Sequence, residues 1–506
     1  MNVGTLFFRS AQLFPEKTAV IQDEHSLTYR QLKERSMAFA GKLIEEGIRP
    51  GDKVVLLMDN DYRFIECFFG TLLAGATIVP LNIKLAPHTL QYICDHCEAR
   101  IIFCSPNFEE ATDRLLNQST ILEQSVVLDD TGNYEAWLSS AEPLSEAYEN
   151  QDSDFGILMY TSGSTGKPKG CMLTHGGKWW MIKTTASSYW IGEQDISLIV
   201  GPLYHANALW SCLFPVLWEG GTVVIMEGFE ARQTLKAIDQ YRPTYTSGTP
   251  AMFSKMLAQK DLLSHLDQTS IQFLCIGSAP VSEELLKDMT RIWNCDVLEG
   301  YGLTEGGIVS CIPRWGVKKL GSIGLPFRGG DIRIVDIESS QECKAGQAGE
   351  LWIKNPALLK GYLKQSDIFA QKMDNGWLKT GDLVSSDEQG YLYFKGRKDD
   401  MINCGGENVY PKEVETLLLM YEGVAQVAVV PVRHKVKGEA PVAWVVPHHG
   451  VTLSEKELKD FSLKNGPAYA HPRRLFFVEA LPMTGSKKID TQQLVKDTMG
   501  RLPEGL

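Results

Sequence analysis

The sequence predicts an α/β protein with a large N-terminal region of layered α/β subdomains and a small β subdomain, followed by a small, mobile α+β C-terminal domain. Three observations support this fold class. Apolar strand-like runs alternate with helical patterns from the start of the chain, which is typical of parallel strands covered by helices. The 506 residues exceed what a single hydrophobic core usually holds. After about Gly321, short strands and glycine turns replace the helical patterns.

The alternation is clearest in the N-terminal segment. Within Asp61–Ala74 the apolar side chains recur at helical spacing, so a helix with its phenylalanines in the core is predicted there. The same patterns predict further strands and helices at Thr18–Gln22, Tyr29–Gly47, Lys53–Met58, Thr77–Leu81, Thr89–Ala99 and Arg100–Cys104. The polar, acidic stretch Asp130–Asp154 is predicted to be a connecting segment.

A second series of short strands predicts where a ligand would bind. Buried strands are predicted at Phe155–Met159, Ser197–Gly201, Thr222–Met226, Gln272–Gly277 and Asp296–Leu298. The strands run into loops that contain polar or glycine residues. Ligands bind at the carboxyl ends of strands in open α/β sheets, so these loops are candidate site loops.

The last part of the chain is predicted to form a separate domain. Strands at Asp331–Val335 and Gly349–Lys354 belong to the predicted β subdomain. The final unit is predicted to contain Pro411–Met420 and Ser454–Lys464 as helices, and Ala425–Val432, Ala440–Val446 and Leu475–Glu479 as strands. The charged segment Gly396–Asp400 suits a linker, so the domains are predicted at residues 1–396 and 397–506.

Charge and composition exclude some classes of function. Fifty basic against 62 acidic residues give a net charge of −12, which argues against a nucleic-acid-binding protein that depends on phosphate neutralisation. No secretion signal and no transmembrane segment of roughly 20 apolar residues is predicted. Eleven scattered cysteines favour reduced thiols and a cytoplasmic location. The Cys94–Cys97 spacing has no second pair of ligands, so zinc is disfavoured.

The stretch Tyr160–Gly170 has the composition of an anion-binding loop. Its glycines let backbone N–H groups converge, its hydroxyls add donors, and Lys167 and Lys169 supply charge for phosphate oxygens. A surface turn would explain the glycines but not two lysines after a buried strand. The P-loop of nucleoside triphosphatases needs a longer glycine-to-lysine spacing, and Pro168 stands where its Mg²⁺-binding hydroxyl would be. Phosphates are therefore expected to be held by another architecture.

Three further motifs carry candidate site residues. Gly300–Glu305 follows the strand Asp296–Leu298, so its glycines permit close backbone approach and its carboxylate suits Mg²⁺. Gly277–Pro280 ends another strand with small residues, which would leave a slot for a flat ring such as adenine. Thr380–Asp382 places a carboxylate after a glycine turn, where it could accept hydrogen bonds from both ribose hydroxyls. Each motif alone could be an ordinary turn.

In this order, the motifs resemble those of the adenylate-forming superfamily of acyl-CoA synthetases, luciferases and peptide-synthetase adenylation domains, and are most similar to acyl-CoA ligases. The resemblance covers essentially the whole chain and includes Tyr204-His205, Gly396–Ile402, Gly405–Pro411 and Pro482–Asp490. It implies that a carboxylate attacks the α-phosphorus of ATP, pyrophosphate leaves, and the acyl adenylate passes to a thiol. The implied substrates are ATP, a carboxylic acid and coenzyme A, with Mg²⁺ as the cofactor.

The resemblance also implies roles for individual residues. Glu305 would hold Mg²⁺, and Thr304 would contact the α-phosphate. His205 would lie beside the reacting carboxylate, and Lys488 would stabilise charge that grows during transfer. The implied nucleotide-binding residues are Thr161, Ser162, Gly163, Ser164, Thr165, Gly166, Lys169, Gly277, Ser278, Ala279, Gly300, Tyr301, Gly302, Asp382 and Arg397.

The resemblance further implies that Gly405, Gly406 and Glu407 face the channel for coenzyme A, and that Asp399 is the hinge. Two positions depart from the family pattern. Lys487 precedes Lys488 where family members usually have glycine, so which lysine reaches the site stays open. Lys398 precedes the hinge where smaller residues are common.

The sequence restricts the class of the acid but does not identify it. No acidic residue lies between Gly201 and Trp218, so an α-ammonium group would lack a counter-charge and a plain carboxylic acid is expected. The predicted pocket wall suits a medium- or long-chain acid, as in fatty acid metabolism, or an aryl acid. It consists of His205, Ala206, Asn207, Trp210, Gly248 and Thr249.

Three alternative functions stay open: an acyl-AMP ligase that loads a carrier protein, a luciferase-like oxygenase and a non-enzymatic binding protein. Homo-oligomerisation also stays open.

Overall fold

The computed structural model describes residues 1–161, 167–279, 281–404, 407–483 and 489–506, with Asn408 described by its backbone alone. The chain divides into two compact units. The first comprises Met1–Asp331 and Ile353–Leu378, and the second comprises Ile332–Trp352 and Lys379–Leu506. The predicted boundary at residue 396 therefore differs from the division by compactness, because the strands just before it belong to the same unit as the C-terminal residues.

The first unit contains two mostly parallel sheets. The larger sheet has the spatial order Leu325–Pro326, Gly307–Cys311, Asp296–Leu303, Phe273–Ile276, Tyr245–Gly248, Ile196–Ile199, Thr222–Ile225, Thr18–Gln22 and His25–Thr28. The other has the order Gly361–Tyr362, Lys169–Thr174, Phe155–Thr161, Thr77–Pro80, Lys53–Leu57, Ala99–Cys104 and Gln124–Val127. The α/β fold class is confirmed.

The helices of the first unit cover these sheets. They are Phe8–Leu13, Tyr29–Glu45, Tyr62–Leu73, Pro87–Cys97, Glu109–Gln118, Asn133–Ser139, His175–Tyr189, Phe214–Glu219, Ala231–Tyr241, Pro250–Leu257, Lys260–Leu263, Glu283–Trp293 and Ser366–Lys372, with a π-helix at Ala208–Leu213 and short 3₁₀ turns at Val3–Thr5 and Pro106–Phe108. The helix predicted from the phenylalanine spacing is almost wholly buried and starts at an Asp61 cap that accepts a hydrogen bond from the Arg63 N–H. The predicted connecting segment 130–154 contains a helix, Asn133–Ser139, because Tyr134 and Leu138 bury an apolar side of this polar stretch.

Two further small sheets contain the strands of the second unit. One contains Asp331–Val335, Gly349–Lys354, Met373–Asp374, Trp377–Ser386 and Leu392–Arg397, although parts of these strands fall in the first unit. The other contains Glu407–Val409, Ile402–Cys404, Gly438–Pro447, Val424–His434 and Arg474–Phe477. Its helices are Pro411–Leu419, Glu455–Asn465 and Thr491–Arg501, and a 3₁₀ turn spans Lys398–Asp400. The predicted helices and strands of the final unit are confirmed within a few residues.

None of the helices that the structure describes has the length and apolar character that a membrane crossing requires.

Candidate active site

The two ends of the predicted anion-binding stretch lie on neighbouring antiparallel strands. These strands, Phe155–Thr161 and Lys169–Thr174, form a hairpin in which Thr161 is opposite Lys169. Residues 162–166, which include Ser162, Gly163, Ser164, Thr165 and Gly166, lie outside the described residues. The side chain of Lys169 is buried, although lysines are rarely buried without a specific partner. The hairpin thus fixes both ends of the predicted phosphate loop.

Tyr160 anchors the start of this loop to a neighbouring helix. A Cβ atom at Gly170, the residue opposite Tyr160, would lie 3.1 Å from the tyrosine ring, so a glycine lets the ring cross the strand. The Tyr160 hydroxyl is 2.7 Å from Nδ1 of His96, on the helix Pro87–Cys97. Burial and the charge of Lys364 lower the pKa of His96, which favours the neutral ring. His96, from the Cys94–Cys97 stretch, therefore contacts the strand Phe155–Thr161.

Glu305 lies in a tight turn between two antiparallel strands. The predicted strand ended at Leu298, but the structure continues it to Leu303 and pairs it with Gly307–Cys311. The prediction was wrong because glycines were taken to end the strand. A Cβ at Gly302 would lie 2.8 Å from the Gly307 carbonyl oxygen, so glycine is required by the close approach of the two strands. Thr304 and Glu305 are half-buried at the turn.

The segment 359–363 joins the turn to the hairpin. The Leu359 N–H donates to the Glu305 carbonyl oxygen at 2.8 Å, and the Leu363 N–H donates to the Gly170 carbonyl oxygen at 2.8 Å. Between them, the Tyr362 hydroxyl donates to Oε1 of Glu305 at 2.9 Å. Nζ of Lys169 lies 5.1 Å from the centre of the Tyr362 ring. Sequence reasoning missed Tyr362, because a Gly-Tyr pair gives no signal beyond that of an edge strand.

Three glycines lie together at the carboxyl ends of adjacent parallel strands. Gly248 is in register with Ile276, and Ile276 is in register with Glu299, which places Gly277 and Gly300 at the same edge. A Cβ at Gly277 would lie 2.7 Å from the Gly300 carbonyl oxygen. The predicted adenine-slot residues Gly277, Ser278 and Ala279 and the nucleotide residues Gly300, Tyr301 and Gly302 follow this edge. Pro280 lies outside the described residues.

Polar groups at the same sheet edge form a hydrogen-bonded network. Oδ1 of Asn207 accepts from the Ser247 hydroxyl at 2.7 Å, and its Nδ2 donates to the Ser278 hydroxyl at 3.4 Å. The Asn207 N–H donates to Nδ1 of His205 at 3.3 Å. In a neutral ring this acceptor role of Nδ1 places the proton on Nε2. The network thus brings His205 and Asn207 to the strand ends, and their contact with the acid stays a prediction.

The remaining pocket-wall residues differ in exposure. Ala206 and Thr249 are half-buried beside His205 and Gly248 in sequence. Trp210 is 2% exposed and packs with its ring centre 5.2 Å from that of Phe214. Its place in a pocket wall therefore stays a prediction.

The predicted ribose-binding pair belongs to the second unit. Asp382 is opposite Arg397 on neighbouring antiparallel strands, and Oδ1 lies 3.2 Å from Nη1. A glycine turn was predicted just before the Asp382 carboxylate, but Thr380–Asp382 lies within the strand Trp377–Ser386. Gly381 adopts a φ of +76° there, a left-handed conformation that glycine accepts readily. The glycine therefore distorts a strand and does not end it.

The other predicted residues of the second unit are only partly described. Asp399 lies in the exposed 3₁₀ turn Lys398–Asp400, and Nζ of Lys398 lies 3.1 Å from Oε2 of Glu350. Glu407 begins a short strand opposite Cys404. Gly405, Gly406, Lys487 and Lys488 lie outside the described residues. The hinge, the coenzyme A contacts and the choice of lysine stay predictions.

The residues around Glu305 fit a Mg²⁺ ion that is shared with a substrate. No group of three or more His, Cys, Asp or Glu side chains suited to a metal occurs within the part of the chain that the structure describes. Mg²⁺ is commonly held by one or two carboxylates together with phosphate oxygens and waters. Glu305 has a half-buried carboxylate that accepts the Tyr362 hydroxyl at one oxygen, and its predicted role as the Mg²⁺ ligand fits this chemistry.

The chain is similar to known proteins over nearly its full length. It matches the family described as AMP-binding enzyme over residues 7–363, and that described as AMP-binding enzyme C-terminal domain over residues 413–488. A 2-succinylbenzoate–CoA ligase of Bacillus licheniformis is 33% identical over 486 residues, covering 96% of this chain and 98% of that protein. A feruloyl-CoA synthase of an Amycolatopsis species is 33% identical over 491 residues, covering 96% of this chain and 97% of that protein.

The fold is also similar to that of a solved structure over nearly the full length of the chain. The o-succinylbenzoate CoA synthetase (MenE) of Bacillus subtilis, in complex with the acyl-adenylate intermediate OSB-AMP, matches with a TM-score of 0.86 and 30% identity. The match covers 97% of each chain.

Proposed function

This chain belongs to the family of AMP-binding enzymes, and we propose that it is an ATP-dependent aryl acid–coenzyme A ligase that works through an acyl adenylate. The observation that carries the proposal is that Lys169 and Glu305 both contact the side chain of Tyr362. A cation and an anion held by one side chain support a site for nucleotide phosphates and their metal ion. Full-length similarity to acid–thiol ligases supports the same reaction class.

In the first half-reaction, an oxygen of the acid's carboxylate attacks the α-phosphorus of ATP, and pyrophosphate leaves. Lys169 and the hairpin hold the β- and γ-phosphates, and the Nε2–H of His205 donates to the carboxylate and orients it. Lys488 stabilises the negative charge that grows on the transferring oxygens. Mg²⁺ bound at Glu305 would supply further neutralisation of phosphate charge.

In the second half-reaction, the thiol sulfur of coenzyme A attacks the acyl carbon of the adenylate. The carbon–oxygen bond to AMP breaks, AMP leaves, and the thiol proton passes to solvent. The segment from Gly405 to Glu407 borders the thiol channel in this proposal. Ten of the eleven cysteines are buried free thiols, which supports action in the reducing cytoplasm.

We take the acid to be an aryl acid and not a medium- or long-chain acid. The two relatives are named for 2-succinylbenzoate and ferulate, and both of these acids contain an aromatic ring. The segment 201–218 has no acidic side chain to pair with an amino group.

The proposal is tested with a panel of benzoates, cinnamates, fatty acids and amino acids. Pyrophosphate release is measured with ATP and Mg²⁺, and thioester formation is measured with free coenzyme A or a phosphopantetheinylated carrier protein. We expect an aryl acid to give both activities with free coenzyme A. Turnover only with the carrier protein, or no acyl adenylate from any acid in folded protein, would contradict the proposal.

A further inference from the structure

We propose that Tyr362 is a positioning residue that holds Glu305 and Lys169 in the geometry required for binding the metal–nucleotide complex. The inference rests on the proposed function and adds a residue to its machinery. The Tyr362 side chain is 2% exposed, so it would act through the two charged groups that it contacts.

Tyr362 contacts the two charged groups with different parts of one side chain. Its hydroxyl donates to Oε1 of Glu305 at 2.9 Å. The Nζ atom of Lys169 lies 5.1 Å from the centre of its ring, within the range of a cation–π interaction. One rigid side chain therefore sets the position of an anion and of a cation that are far apart in sequence.

The backbone around Tyr362 holds this side chain in place. Tyr362 is opposite Cys171 on the strand that begins with Lys169. The neighbouring Leu359 and Leu363 N–H groups donate to the carbonyl oxygens of Glu305 and Gly170. The Phe369 ring packs edge-on against the Tyr362 ring, with 6.3 Å between their centres. The segment is thus bound to both elements that it connects.

The hydroxyl and the ring have separable chemical effects. A hydroxyl that donates to one carboxylate oxygen fixes the rotation of the carboxyl group, which leaves Oε2 oriented for a cation. Groups of this kind, which hydrogen-bond to a metal ligand, typically change metal affinity or activity by 10- to 100-fold when removed. The ring contacts the lysine instead, so its removal would affect the phosphates even without metal.

The test compares Tyr362→Phe with Tyr362→Leu in the full-length protein. The binding of ATP is measured by calorimetry without the acid, once with Mg²⁺ and once with EDTA. We expect Tyr362→Phe to weaken MgATP binding by about 10-fold or more and to leave binding in EDTA nearly unchanged. Tyr362→Leu should weaken both. In pyrophosphate exchange, the KM for MgATP should rise while the KM for the acid stays constant.

The chain provides a matched control at Tyr134. This buried tyrosine also donates to a carboxylate, Oε1 of Glu66, at 2.8 Å, and it is not part of the candidate site. Tyr134→Phe removes the same kind of hydrogen bond and should leave MgATP binding unchanged. If both phenylalanine variants weaken binding equally, the effect is structural and the inference is overturned.

A double-mutant cycle with Glu305→Gln tests whether Tyr362 acts through the carboxylate. We expect Tyr362→Phe to cause no further loss of MgATP affinity in the Glu305→Gln background. Additive losses, or unchanged MgATP binding in Tyr362→Phe alone, would overturn the inference. Wild-type protein that binds no MgATP would instead overturn the proposed function, and the inference with it.

Discussion

Among single residues, His175 has a buried ring that links pH to stability. The ring is 1% exposed, and Nδ1 accepts a hydrogen bond from the Val3 N–H at 3.0 Å. Burial, aided by the charge of the N-terminal amino group, lowers the pKa of His175 from 6.5 to about 4. At a pH between these two pKa values, the histidine is protonated in the unfolded chain and neutral in the folded chain. Stability from the neutral ring is therefore lost as the pH falls through this window.

We predict that the free energy of unfolding depends less on pH in His175→Asn than in the wild type. Asparagine keeps an acceptor for the Val3 N–H and has no group that titrates in this range. The wild type should lose about 2 kcal/mol more than the variant between pH 7 and pH 5. Urea denaturation at the two pH values measures the difference, and parallel pH profiles would contradict the assignment.

His205 is predicted to act on the acid and not on the nucleotide. If Nε2–H orients the carboxylate, His205→Ala should slow adenylation by about a hundredfold, the usual effect of removing one preorganised donor. His205→Gln should restore part of the rate because its amide can donate from a similar distance. Pyrophosphate exchange gives the rates, and calorimetry should show unchanged MgATP binding. A loss of nucleotide affinity in His205→Ala would contradict this role.

At the level of strands, Gly381 connects backbone conformation to the predicted ribose site. A Cβ at this position would strain a φ of +76° and would lie 3.3 Å from Nη2 of Arg397. We predict that Gly381→Ala loses about 1–2 kcal/mol of stability and raises the KM for ATP, because Arg397 must move away from Asp382.

Gly346→Ala is the control for this prediction. Gly346 has a φ of +84° and no atom within 4 Å of an added Cβ, so the variant carries similar backbone strain without the contact. It should lose comparable stability with an unchanged KM. If both variants raise the KM equally, the effect comes from strain in the unit and not from the Asp382–Arg397 pair.

The strands also show how far local patterns could predict the fold. Apolar runs such as Thr18–Gln22 and Gly349–Lys354 gave the strand bounds correctly, because buried strands are continuous in sequence. The predicted strand ended too early, before Gly300–Leu303, because glycine has a low intrinsic preference for strands. The antiparallel partner Gly307–Cys311 overrides that preference, since close backbone approach leaves room only for glycine at Gly302.

The candidate site was predictable where its residues belong to motifs. Lys169 and Glu305 came from such motifs, while Tyr362 did not. Tyr362 is 57 residues from its partner Glu305, and only the folded sheet brings the two together. Hydrogen bonds over such separations leave no periodic signal in a sequence.

For the whole molecule, we propose that different residues face the acyl group in the two half-reactions. The hinge at Asp399 remains our prediction for this change, since conformational steps of this kind are absorbed by few residues. Proline fixes φ near −65° and removes the N–H. We expect Asp399→Pro to keep acyl-adenylate formation and to lose transfer to coenzyme A, and Asp399→Ala to keep both. Rapid-quench assays separate the steps, and a proline variant active in both would remove Asp399 as the hinge.

We propose that the acid is activated by forming a bond from its own oxygen to the α-phosphorus of ATP. The most direct measurement uses an aryl acid with ¹⁸O in both carboxylate positions and follows the label by mass spectrometry after thioester formation. We predict that each AMP carries one ¹⁸O and that the pyrophosphate carries none. Label in inorganic phosphate with ADP as the nucleotide product, or unlabelled AMP, would contradict an acyl-adenylate mechanism.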